Sequence, residues 1–143
     1  MTRDRPFCLQ PLALAALLLS LVAPPAHARD SLGIYGKWGA FRDPAIPRCY
    51  AIAVAEPSAR RRDTQPYADV GTWPRRGTRG QVHFRLSRKA AVNARMILML
   101  GGQRFELTGG GTDAWAADKR MEAAILAAMR SARSMTVWSR DGA

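Results

Sequence analysis

Apolar and polar positions alternate in several short runs beyond residue 30, and a period of two predicts strands. Residues 48–55 place Tyr50, Ile52 and Val54 on one side and Cys49, Ala51, Ala53 and Ala55 on the other. Both sets are apolar, which predicts a central strand covered on both faces. Residues 81–86 point Val82, Phe84 and Leu86 inward and His83 and Arg85 outward. Residues 95–100 and 103–108 flank Gly101-Gly102. Two glycines accept the positive φ angles of a tight hairpin turn, so these runs form a hairpin. Residues 67–73 form a further strand, ended by Pro74. A first strand is expected over 34–42, where Tyr35, Trp38 and Phe41 stand among glycines, with a flexible leader over 29–33. Asp43-Pro44-Ala45-Ile46-Pro47 is a turn, because each proline fixes its own φ and restrains its predecessor.

The period changes once. Over 118–132 Met121, Ile125, Ala128, Met129 and Ala132 form one apolar stripe at helical spacing. Asp118 is placed to cap the first amides, and Arg130 and Arg133 stand near the negative end of the helix dipole. A strand over 134–139 follows, carrying Met135, Val137 and Trp138. The expected fold is mainly β, an antiparallel sandwich-like domain with one helix near the C-terminus. Asp141-Gly142 reads as the start of another hairpin turn, so a version shortened at its C-terminus is expected.

The first 28 residues follow different rules. Arg3 and Arg5 precede an apolar run that includes Leu12 to Leu19 and continues to Ala23. Pro24-Pro25 then break any helix, and Ala26-His27-Ala28 offers small residues for cleavage. That run is about half of the ~20 residues that cross a bilayer core. Residues 1–28 are therefore expected to be a cleaved signal peptide rather than an anchor, and 29–143 one domain outside the cytoplasm. No later run is long enough to span a membrane. Cys8 precedes the apolar run, so it is no lipid acceptor. After cleavage only Cys49 remains, and a lone cysteine closes no internal bridge.

The whole chain carries +11. Removing Arg3, Arg5 and Asp4 leaves 20 basic and 10 acidic residues, a net +10, nearly all from arginine. Net charge of this size draws acidic partners, or only keeps a protein soluble. Arg60, Arg61 and Arg62 in one loop and Arg75, Arg76 and Arg79 in the next flank one strand and, if the loops converge at one end of the sheet, are the candidate anion-binding residues. Guanidinium forks pair bidentately with phosphate or carboxylate. The bland alternative is two solvated loops. The bland reading is the favoured one; an anionic polymer is a candidate partner beside an unidentified envelope or host component, and nucleic acid is disfavoured.

Catalytic signatures are thin. Cys49 and His83 are the only residues of their kinds after the leader, and a nucleophile–base pair needs them within hydrogen-bond reach. Cys49 instead reads as a small core hydrophobe among alanines. One cysteine, one histidine and scattered acids lack the ligand spacing of zinc, and Gly109-Gly110-Gly111 lacks the Lys-Ser/Thr of a phosphate loop and is expected to be a flexible connection. No catalytic residue, metal or cofactor is expected. Trp38 and Trp138 are assigned to the core, whereas Trp73 and Trp115 are open to core or stacking roles.

Gly36-Lys37-Trp38-Gly39-Ala40-Phe41 followed by Arg48-Cys49-Tyr50-Ala51-Ile52-Ala53 resembles the start of the invasion-associated locus B family. The apolar strand, glycine turn and strand over 96–105 and the helix and strand over 121–137 are also similar to that family. The resemblance implies an exported, non-enzymatic envelope protein with a β-sandwich-like fold that binds an envelope or host component. Family members often pair cysteines. Cys49 matches one such position, but no cysteine stands near Phe41 or Arg42, nor over 112–116.

Overall fold

The computed structural model describes residues 29–140. Nine antiparallel strands hydrogen-bond into one continuous open sheet: β1 (Asp30–Tyr35), β2 (Trp38–Asp43), β3 (Arg48–Val54), β4 (Tyr67–Trp73), β5 (Thr78–Arg85), β6 (Arg95–Leu100), β7 (Gln103–Gly110), β8 (Asp113–Ala116) and β9 (Met135–Arg140). One helix, α1 (Lys119–Met129), precedes β9. Mainly β with a single helix near the C-terminus is therefore what the chain adopts. The spatial order is β1-β2-β3-β4-β5-β8-β7-β6-β9. β1 to β5 meander, the chain then passes to β6, and β7 and β8 return towards β5.

Local chemistry accounts for most elements. The β6–β7 hairpin turns at Gly101 (φ 57°) and Gly102 (φ 80°) and pairs Leu100 with Gln103. Asp118 caps α1 by accepting from the Met121 amide at 2.7 Å. The Asp43 carboxylate accepts from the Ile46 amide at 3.1 Å and closes the proline turn. Ile125 is fully buried, and Met121, Ala128, Met129 and Ala132 pack beside it, so the helical stripe faces the sheet.

The core lies between α1 and one sheet face: Val82, Phe84, Met96, Leu98, Leu100, Phe105, Leu107, Ala114 and Ile125. Burying a Leu, Ile or Phe side chain contributes roughly 1.5–3 kcal/mol, and almost all such residues here belong to α1 or to strands from β5 onward. β1 to β3 contribute half-buried side chains such as Trp38.

Four expectations change. The first strand is two: residues 29–33 are no free leader, because β1 starts at Asp30 and folds onto β2 around Gly36 (φ 61°). Residues 109–111 are no loose connection, because β7 runs through Gly110 and turns into β8. β3 is central by its pairing with β2 and β4, but neither face is fully covered and Cys49 is exposed. The reason is that α1 lies over β5 to β8 and leaves β3 open. Trp138 is outside the main core and pairs with Ile97 on the opposite sheet face. The expected signal peptide and the expected turn at Asp141-Gly142 lie outside the described residues.

Candidate functional site

The arginine loops do not converge. Arg60, Arg61 and Arg62 precede β4, whereas Arg75, Arg76 and Arg79 follow it. Seven residues at about 3.4 Å each separate the two loops by roughly 20 Å. Their surroundings also differ. In the first loop Arg61 pairs with Asp63 at 3.4 Å, and Arg62 donates to the Glu56 carbonyl. The loop is tied down where the Asp63 and Thr64 amides donate to the Ser87 carbonyl.

The second loop is a turn of 3-10 helix, Pro74–Arg76, ended by Gly77 in the left-handed region (φ 65°). The Gly80 amide donates to Thr72 Oγ1 at 3.1 Å, and Leu126 of α1 rests against Gly80. This contact brings the first turns of the helix beside the loop. Arg76, Arg79 and Lys119 then line one groove of about 350 Å³ with Thr78, Glu122 and Leu126. Among the described residues none of Arg75, Arg76, Arg79 and Lys119 has a carboxylate within 4 Å. Glu122, the acid in the groove, accepts from the Val82 amide at 3.0 Å. β5 extends past β8 there, and this carboxylate satisfies an amide that the missing strand leaves unpaired. The sequence marks Lys119 only by its helical offset of three from Glu122, because the approach of α1 to β5 is not local information.

A second polar cluster occupies the opposite sheet face. Asp69 (β4) and His83 (β5) are direct cross-strand partners, and Asp113 (β8) is one register step away. His83 Nδ1 lies 2.8 Å from Asp69 Oδ2, and Nε2 lies 2.9 Å from Asp113 Oδ1. An ionised carboxylate only accepts, so this geometry favours the protonated ring, which alone donates from both nitrogens. The bond to Asp69 is the largest influence on His83. With the bond to Asp113 it outweighs the loss of hydration and holds the pKa above the usual histidine value. Burial opposes ionisation of Asp113, but donors from Arg85, His83 and Thr112 prevail and keep its pKa below the ordinary carboxylate value. Arg85 Nη1 reaches both Asp113 oxygens, at 2.8 and 2.9 Å. Tyr67 and Trp115 flank the His83 ring with ring centroids 5.8 and 5.2 Å away.

This geometry decides the nucleophile question. Cys49 pairs with Thr72, and Ile52, three residues on, pairs with Asp69. Side chains three apart in a strand point to opposite faces. Cys49 therefore faces away from His83, whose nitrogens are both committed to aspartates, and the two form no dyad. Trp73 and Trp115 both lie half-buried on the His83 face, with the Trp73 ring folded over Gly71.

No protein-family model, curated protein or solved structure matches this chain. Among the described residues no helix is long and apolar enough to cross a membrane.

Proposed function

We propose that this chain is an exported, non-enzymatic binding protein of the invasion-associated locus B type, and that it engages an anionic envelope or host component. The observation that carries the reading is the groove at the β4–β5 turn, where Arg76, Arg79 and Lys119 converge and, among the described residues, have no carboxylate paired to them. Guanidinium groups held on a short, proline-started turn keep their forks free for phosphate, sulfate or carboxylate. The other arginine loop spends Arg61 and Arg62 on contacts within itself. Charge alone would make every exposed arginine equivalent, whereas a site would not.

The test is a heparin titration across a salt series on the wild type and two triple variants. Serine at Arg75, Arg76 and Arg79 should weaken binding at least tenfold and flatten the salt dependence. Serine at Arg60, Arg61 and Arg62 should change it less than threefold. Exposed charges are screened over ~10 Å at 0.1 M salt, so salt sensitivity alone decides nothing. Equal losses in the two variants would mean diffuse attraction and would reject the site.

A further inference from the structure

The stripe of α1 made by Lys119, Glu122, Leu126 and Met129, with the C-cap residue Arg130, borders the part of the sheet that the helix leaves open. Its first half lines the basic groove. Its second half lines another groove, of about 290 Å³, with Trp38 of β2, Ala51 of β3 and Val70 of β4. Leu126 lines both grooves, which therefore lie on either side of that one side chain. Positions three and four apart share a helix face, so one face carries cations at one end and apolar side chains towards the other. The apolar groove exists for a stated reason. α1 covers β5 to β8, and the small side chain of Ala51 leaves a hollow between Trp38 and Met129 that nothing in the described fold fills.

We propose that the occupant of these two adjacent grooves is an anionic amphiphile: a phosphate, sulfate or carboxylate headgroup with an unbranched hydrocarbon chain. The headgroup sits against Arg76, Arg79 and Lys119, and the chain passes Leu126 into the hollow walled by Trp38, Ala51, Val70 and Met129. This rests on the basic groove being the anion site, and it names the ligand class. Apolar side chains line the groove on one side of Leu126 and cationic ones the groove on the other, which matches the two halves of such a ligand. Arg130 is the remaining polar wall residue of the apolar groove and offers a rival position for the headgroup.

The probe is a series of monoalkyl phosphates with 6, 8 and 10 carbons, kept below their micelle concentrations and titrated calorimetrically into the purified protein. Inorganic phosphate serves as the headgroup alone. One molecule should bind per chain, tightening about fourfold per added methylene, the equivalent of ~0.8 kcal/mol per buried CH₂. Serine at Arg76 and Arg79 should weaken every member of the series at least tenfold without changing the increment per methylene. Ala51→Leu, which fills the hollow from an open strand, should shrink the increment while leaving heparin binding intact.

Affinity that does not depend on chain length, with heparin still bound through Arg76 and Arg79, would overturn the amphiphile and leave the polyanion reading standing. Chain-length dependence that survives serine at Arg76 and Arg79 but is lost in Arg130→Ser would overturn the headgroup assignment. Loss of both heparin and alkyl phosphate binding in the wild type would reject the anion site itself, and the amphiphile with it.

Discussion

His83 shows how much one residue's surroundings decide. A histidine that alternates with core positions has a solvated outward place as its simplest expectation. Here the ring is held between Asp69 and Asp113 and its side chain is only 16% exposed. Its folded pKa is raised, so its contribution to stability is fully present below the ordinary value of about 6.5. That contribution is lost as pH rises through the raised value. Deprotonation turns one ring nitrogen into an acceptor facing a carboxylate. The expected outcome is a gap in urea midpoint between wild type and His83→Gln that is wide at pH 6 and narrow at pH 9. A gap of equal width at both pH values would show that the imidazolium charge does not stabilise the fold. Asp113 acts with the opposite sign: its pKa is lowered, so its share persists above the ordinary carboxylate value and is lost only in stronger acid.

Elements were legible where one local rule determined them. The alternation of Val82, Phe84 and Leu86 located β5 and its inward face, Gly101-Gly102 located the β6–β7 turn, and Asp118 located the start of α1. β8 was missed because Asp113-Ala114-Trp115-Ala116 is four residues long and its neighbours read as a glycine linker. The split between β1 and β2 was missed because one glycine, Gly36, makes that turn among aromatic residues that resemble strand anchors. The separation of the arginine loops was available in principle, since loops before and after a single strand leave from opposite ends. What no local rule supplies is sheet order, and with it the meeting of Asp69, His83 and Asp113. The β7–β8 approach gives a sharp test at this scale. A Cβ on Gly109 (φ 153°) would overlap the Asp113 backbone and come within 2.9 Å of Ala114 Cα, whereas Gly110 has open space around it. Gly109→Ala should cost about 1–3 kcal/mol by denaturant unfolding, and Gly110→Ala should be close to neutral. Similar costs at both positions would mean that β7 and β8 do not approach in this way.

Across the whole molecule the sheet is continuous in hydrogen bonding and uneven in burial. Ile97 and Leu98 are fully buried on β6, and Phe105 and Leu107 are buried on β7, whereas β1 exposes Leu32, Ile34 and Tyr35 by half or more. Within β1 to β3 the only buried residues are Gly39 and Asp43. Local opening follows buried apolar contact more closely than ladder continuity, so backbone pairing from β1 to β4 does not make the nine strands one unit of stability. Amide hydrogen exchange should be slowest at β6 and β7, intermediate at β4 and β5, and fastest at β1, with β3 exchanging well before Leu98. Uniform protection from β1 to β9 would show that the ladder itself couples the halves. The unevenness also matters for binding, because the apolar groove joins the weakly packed strands to α1 through Trp38, Ala51 and Met129. A chain seated there would add apolar contacts where the fold has fewest. An alkyl phosphate that occupies the groove should therefore slow exchange at β2 and β3 and leave β6 and β7 unchanged. Slowing spread evenly over all nine strands would mean that the ligand stabilises the protein globally, without filling the space between α1 and β3.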